Sequence, residues 1–192
     1  HRHAVTYRLR GGTLGNFVGI VEREEWTSES WTEQAGKDEV LEAFKGWHPI
    51  VTNLIEQAEV HFRWALFDRA PLSQWVDGRV ALLGDACHPT LPFQAQGAVM
   101  AIEDAYLLAK LCSEAPKDLN TALETYFETR QPRTSRVQAA SRGNAKLFHR
   151  PTPIGRALTY GPMWMAGKIA PSIIRSRQDP FFAYDIREEP LR

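Results

Sequence analysis

Gly84 and Asp85, which close the apolar run Arg79-Val-Ala-Leu-Leu-Gly84, are the first residues whose placement could do chemistry. A short, wholly apolar run reads as a strand buried on both faces, the best candidate in the chain for a parallel strand. Ligands of open α/β sheets bind at the carboxyl ends of such strands. A carboxylate delivered there can accept hydrogen bonds from a ribose or ribityl hydroxyl. Beyond it a proline-bearing loop, Pro89 to Pro92, leads to Gln96 and Gly97 and then into residues with helical spacing. The first amides of that helix, unpaired within it, point back at the same space and favour negative charge. Gly97 lets backbone approach a ligand closely.

A second pair stands at the start of the chain. His3-Ala-Val-Thr-Tyr-Arg-Leu9 is a β-rich run, and alternation puts His3, Val5, Tyr7 and Leu9 on one face of it. A histidine and a tyrosine on a shared face can deprotonate and orient a phenol.

The elements that must carry these residues follow from the spacing of apolar side chains and from Gly and Pro. Asn16-Phe-Val-Gly-Ile-Val21 pairs with the first run through the glycines of Arg10-Gly-Gly-Thr-Leu-Gly15, giving an antiparallel hairpin. A helix is expected over Asp38 to Phe44, stopping near Gly46, and another from Pro49 to about Gln57. His61 to Phe67 reads as a strand. Val99, Ile102, Ala105, Tyr106 and Ala109 recur as an amphipathic helix requires, from about Gln96 to Cys112. Leu119 to about Phe148 also reads as helix, with a kink expected at Pro132. From Pro151 onward, irregular structure or short helices are expected.

Composition narrows the classes. The 192 residues are 43% hydrophobic and 24% charged, enough for one domain with its own core. Lysine plus arginine equals aspartate plus glutamate at 23 each, so no overall field favours nucleic acid, a membrane surface or an acidic partner. Cys87 and Cys112 lack metal-site spacing, so no metal is expected. With no signal-like apolar run at the start, they fit a reduced, cytoplasmic protein. No stretch is long enough to cross a bilayer. A β-run already begins at His1 without an initiator methionine, so the chain is expected to start inside a larger protein.

The segment Gly84-Asp-Ala-Cys-His-Pro-Thr-Leu-Pro-Phe-Gln-Ala-Gln-Gly-Ala-Val-Met-Ala-Ile-Glu-Asp-Ala105 resembles the group A flavoprotein monooxygenases, in particular their salicylate hydroxylase and hydroxybenzoate hydroxylase branch. Arg10-Gly-Gly12, Asn16-Phe-Val18, Gly46-Trp-His-Pro49, Trp64-Ala-Leu-Phe-Asp-Arg69 and Tyr184-Asp185 look like the same branch, so the resemblance runs along most of the chain. It covers only the second half of such an enzyme. The family's G-x-G-x-x-G motif for the FAD pyrophosphate and its middle Asp-Gly motif are not in this sequence. The resemblance implies that Gly84 and Asp85 meet the ribityl or ribose region of FAD. It implies that Pro92, Gln96, Gly97, Ala98 and Val99 border the isoalloxazine ring, and that His3 and Tyr7 belong to the substrate sheet as catalytic residues. Where some hydroxybenzoate hydroxylases look to have a glutamine, this chain has Pro92 or Phe93, which leaves the exact substrate open.

The fold class implied is α/β for the whole and α+β for these residues. Residues 1–76 would belong to the substrate domain, residues 77–115 would supply the last strand and helix of a Rossmann-like FAD domain, and residues 116–192 a helical C-terminal region. The activity implied is hydroxylation of a phenolic acid such as salicylate or another hydroxybenzoate, with FAD, O2, and NADH or NADPH as electron donor. An N-terminal half that completes the FAD site is the expected partner, without which the chain alone is expected to hold FAD weakly or not at all and to be inactive. A homodimer is an allowed assembly, and neither nucleic acid nor membrane is expected. The rival reading is a binding module. Between Thr129 and Gln178 there is no acidic residue, while Arg130, Arg133, Arg136, Arg142, Lys146, Arg150, Arg156, Lys168, Arg175 and Arg177 are basic. Such a stretch could meet nucleic acid or an acidic protein. In the enzyme reading those arginines solvate a helix, dock on the missing half, or attract anionic substrates.

Overall fold

The structure, a computed structural model, describes residues 1–23, 30, 32–114 and 118–190. The chain divides into two compact units, His1–Leu66 and Phe67–Arg192. The boundary expected between residues 115 and 116 lies outside the described residues.

The first unit is the expected hairpin with two short helices. Strands β1 (Arg2–Leu9) and β2 (Leu14–Val21) pair antiparallel in a register that sets His3 opposite Ile20, Val5 opposite Val18 and Tyr7 opposite Asn16. Arg10, Gly11 and Gly12 turn the chain with positive φ. Helix α1 (Lys37–Ala43) and helix α2 (Pro49–Gln57, with Pro49 at its first turn) fall where the sequence places them. Phe44 is buried at the end of α1, edge-on to Phe17 at 5.6 Å and to Trp47 at 5.0 Å. Gly19 makes this possible, because a Cβ there would lie 2.6 Å from the Phe44 ring. The Phe17 and Gly19 face of the hairpin therefore packs on α1, and His3, Val5 and Tyr7 stand on the other face.

The strand expected over His61 to Phe67 is not formed. Phe62 makes an isolated bridge with Gln34, bounded by Ala35 N–H donating to His61 O (2.9 Å) and Arg63 N–H donating to Glu33 O (2.9 Å). Past Arg63 no described segment offers a backbone ladder, and the side chains of Trp64, Leu66 and Phe67 are exposed.

In the second unit, β3 (Val76–Asp77) and β4 (Val80–Ala81) form a two-residue antiparallel ribbon across Gly78. The parallel, doubly buried strand expected from Arg79 to Gly84 is thus reduced to β4. No described segment runs parallel beside it, and Val80 is 65% exposed. Apolar character records the burial a segment is suited to, and here the covering neighbour is not among the described residues. Helix α3 (Gly97–Glu114) and helix α4 (Leu119–Phe148) pack together over a core of Trp75, Cys87, Leu107, Leu111, Ala122 and Tyr126. Pro132 lies inside α4 without ending it. The carbonyl that loses its partner there belongs to Glu128, on an exposed part of the helix where water can replace the missing bond. Beyond Pro151 the chain is more regular than expected, forming α5 (Pro153–Ile169) and α6 (Pro171–Phe182), each opened by a proline in its first turn. The mixed class with small antiparallel sheets and dominant helices agrees with the sequence.

Candidate functional site

After β4 the chain enters a tight turn, Gly84–Ala86, with Gly84 at φ +60. Only glycine adopts that conformation without strain, and a Cβ at Gly84 would also press on the Ala101 Cβ at 3.2 Å. The turn buries Gly84, Cys87 and His88 and leaves Asp85 exposed, with no hydrogen-bond partner among the described residues. A second turn, Pro92–Gln94, ends at Ala95 in the left-handed region, φ +53. It exposes Pro92 and Ala95 and buries Gln94 and Gln96. At the start of α3, Met100 N–H returns to Gln96 O (2.9 Å), while the amides of Gly97, Ala98 and Val99 have no acceptor among the described residues. Ala98 and Val99 are exposed and Gly97 half-buried, with Thr90 Cγ2 3.5 Å from where a Gly97 Cβ would be.

What fixes these two turns lies underneath them. Asp104 of α3 is wholly buried. Its Oδ2 accepts from the Gly84 amide (2.9 Å) and from His88 Nε2 (2.6 Å), and its Oδ1 accepts from Arg130 Nε (2.7 Å). Beside it, Glu103 accepts from Arg130 Nη2 (2.6 Å) and from Arg133 Nε and Nη2 (2.7 Å each). Arg133 also donates to Gln96 Oε1 (3.4 Å) and stacks on the Tyr184 ring at 3.7 Å. Two carboxylates and two guanidiniums therefore balance in a buried cluster, the condition under which burying charge is tolerable. Burial pushes the Asp104 carboxyl up, but the hydrogen bonds from His88, Arg130 and the Gly84 amide outweigh it and hold the group below the usual carboxylate range. Farther along the same face of α4, Gln138 donates to Pro89 O (2.9 Å), Ser141 to Leu91 O (2.5 Å) and Asn144 to Phe93 O (2.9 Å). The loop carbonyls have no ladder partner, so side-chain donors three residues apart on one helix face satisfy them instead.

The side chain of Gln96 points into this cluster through Arg133, so any contribution it makes to the outer surface is through its backbone. His88 is structural, with its ring 5.3 Å from that of Trp75 and its proton on the Asp104 bond assigned to Nε2. Burial and the Asp104 charge push the Cys87 thiol up to about 12. Cys87, His88 and Asp104 offer ligand atoms within 4.8 Å of one another. The Cys87 thiol instead donates to Gly84 O (3.4 Å), and Asp104 is saturated by three donors that include a guanidinium. A cation would have to displace those bonds next to Arg130. A cavity of about 350 Å³ lined by Trp75, Asp77, Asn120, Glu124 and Phe127 includes none of the candidate residues.

His3 and Tyr7 belong to the first unit and the other candidates to the second. His3 is half-buried and Tyr7 is 50% exposed, and both lie on the hairpin face turned away from Phe44. Val5 stands between them, so at about 3.4 Å per residue they are about 14 Å apart along β1. Sequence reasoning missed the Glu103, Asp104, Arg130 and Arg133 cluster. Part of its signal was present, since Glu103 and Asp104 interrupt an apolar run from Ala98 to Ala109, and charge inside such a run needs a paired partner if it is buried.

The family model described as FAD binding domain matches residues 12–141. The 3-amino-4-hydroxybenzoate 2-monooxygenase PtnB3 of Streptomyces platensis is 40% identical over 149 residues, which is 78% of this chain and 38% of that protein. The 3-hydroxybenzoate 6-hydroxylase of Klebsiella oxytoca is 37% identical over 150 residues, 78% of this chain and 37% of that protein. Among solved structures, a salicylate hydroxylase substrate complex matches with TM-score 0.79 and 31% identity, covering 98% of this chain and 46% of that one. The chain thus spans well under half the length of the curated relatives it matches.

Proposed function

The chain belongs to the FAD binding domain family, and on that premise we propose that it forms the C-terminal, flavin-facing part of an FAD-dependent aromatic-ring monooxygenase. The observation that carries the proposal is the pair of turns just described. An unpartnered Asp85 carboxylate, exposed Pro92, and the unclaimed amides of Gly97, Ala98 and Val99 all belong to backbone that is held from beneath. These groups suit a flavin in chemical type. The Asp85 carboxylate accepts from a ribityl or ribose hydroxyl. The α3 amides and the positive end of its dipole stabilise negative charge on the pyrimidine end of the ring system. Gly84 supplies the turn that brings Asp85 outward, and Gln96 contributes through backbone.

When bound, FAD supplies the redox and oxygen chemistry, with reduced nicotinamide as the electron source. The residues of this chain bind, orient and exclude water. The relatives named above act, by their names, on hydroxybenzoates or salicylate, and a phenolic acid is the proposed substrate class. His3 and Tyr7 would flank it, one accepting or steering the phenolic proton and the other holding the opposite end. The exposed apolar residues Val80, Leu83 and Ile102 would be covered by the remainder of an FAD domain.

The test uses the whole protein that carries this chain, supplied with NADH or NADPH and a panel of hydroxybenzoates. The expected result is substrate-stimulated nicotinamide oxidation with one hydroxylated product per O2. Changing His3→Ala or Tyr7→Phe should slow hydroxylation about 10²- to 10⁴-fold, the usual range for general acid–base help, and raise hydrogen peroxide release while FAD content stays normal. Normal rate and coupling in both variants would remove His3 and Tyr7 from catalysis. Absence of nicotinamide oxidation with every phenolic acid would remove the substrate class.

A further inference from the structure

We infer that Asp104 is a positioning residue for FAD, acting through the Gly84 amide and His88 to set the turn from which Asp85 faces the cofactor. The inference rests on the flavin reading of Asp85 and goes beyond it, since Asp104 is wholly buried and cannot touch a ligand itself.

Three observations converge on this one carboxylate. Its Oδ2 is the acceptor for both ends of the 84–88 turn, the Gly84 amide at 2.9 Å and His88 Nε2 at 2.6 Å. The turn needs such an anchor, because Gly84 has φ +60 and, among the described residues, the only backbone bonds that close it run from Cys87 N–H (3.1 Å) and His88 N–H (3.0 Å) to Gly84 O. These leave the Gly84 amide without any other acceptor, and an unpaired buried amide is costly enough to reorient a short turn. Finally, Asp104 is itself fixed from α4, since Arg130 Nε holds its Oδ1 at 2.7 Å while Arg130 Nη2 is held by Glu103 at 2.6 Å. The guanidinium is a planar fork whose two edges are both engaged. Asp104 therefore cannot rotate without breaking bonds to α4, and the orientation of Asp85 is set by a helix far along the chain. The second turn has its own link to the same cluster, Arg133 to Gln96.

A residue that acts only by presenting Asp85 should lose its effect on FAD once the Asp85 carboxylate is gone, whereas a residue that merely supports the fold should not. The experiment is a double-mutant cycle on the whole protein carrying this chain, reading the FAD dissociation constant by flavin fluorescence and, separately, the thermal midpoint of the apoprotein. With Asp85 intact, Asp104→Asn should weaken FAD about tenfold. In the Asp85→Ala background, Asp104→Asn should change the constant less than about twofold, while lowering the apoprotein midpoint equally in both backgrounds. Equal weakening of FAD in both backgrounds would overturn the positioning role. No effect of Asp85→Ala alone would instead overturn the flavin reading on which it rests. If Asp104→Asn does not accumulate folded, His88→Gln and Gly84→Ala address the same turn, and the same non-additivity with Asp85→Ala is expected of both. Additive loss in those cycles would likewise overturn the proposal.

Discussion

At the scale of single residues, the site is a contrast between neighbours. Asp85 is exposed and has no partner among the described residues, whereas Cys87 and His88, two and three positions on, are buried under the same turn. That contrast gives a prediction for Cys87, whose thiol is pushed up to about 12 by burial and by the Asp104 charge. Since the thiolate is the nucleophile, native Cys87 should resist iodoacetamide at pH 8 and become reactive only on unfolding, as intact-mass analysis before and after denaturant would show. Rapid native alkylation at Cys87 would mean that the turn opens. The residue types proposed to meet a flavin were legible in the sequence, because Gly-Asp after an apolar run and Gln-Gly before a helix are local signals. The direction of each side chain was not. Gln96 turns inward because Arg133 lies 37 positions away in sequence, and no local pattern carries that information.

Elements show what apolar pattern can and cannot specify. The hairpin, α1, α2, α3 and α4 are readable because each has its own period and its own Gly or Pro punctuation. The runs at His61 to Phe67 and Arg79 to Gly84 are not, because a strand exists only where a neighbour completes its ladder, and the neighbour is not encoded in the run. Gly19 illustrates packing that a pattern does not announce, since it opens the space for the Phe44 ring. Replacing it with alanine puts a Cβ 2.6 Å from that ring. This Gly19→Ala change should lower stability by about 1 to 3 kcal/mol through forced displacement of a packed side chain, measurable by urea denaturation. An unchanged midpoint would mean that Phe44 moves freely. Between α3 and α4 the expectation concerns acid. The Asp104 carboxyl is held below its usual range, and a carboxylate whose folded value is depressed contributes stability above its unfolded value. That value is about 3.9 for aspartate, and the contribution drains as pH falls through the lower folded one. The thermal midpoint should therefore fall more steeply below about pH 4 in the unaltered protein than in Asp104→Asn, whose midpoint should already be low at neutral pH. Parallel falls in the two proteins would contradict that role.

For the molecule as a whole, the basic stretch is the feature that a composition-level reading treats most differently from the structure. Of its ten cations, Arg130 and Arg133 are buried in ion pairs with Glu103 and Asp104, and Arg142 pairs with Asp68 at 3.0 Å. The three are internal to one unit and leave no continuous cationic face along α4. Binding to DNA or RNA should accordingly be weak and vanish by physiological salt, as fluorescence anisotropy across a salt series would show, and a tight complex at that salt would favour the binding-module reading. Among the described residues no helix is long and apolar enough to cross a membrane. The central claim is that backbone and carboxylate between Gly84 and Val99 hold a flavin, and the FAD dissociation constant of Asp85→Ala against the unaltered protein tests it most directly. A hydrogen bond to a charged group contributes about 1.5 to 3 kcal/mol, so the account predicts that Asp85→Ala weakens FAD by roughly 10- to 150-fold with no matching loss of apoprotein stability. An FAD affinity equal to that of the unaltered protein would contradict it.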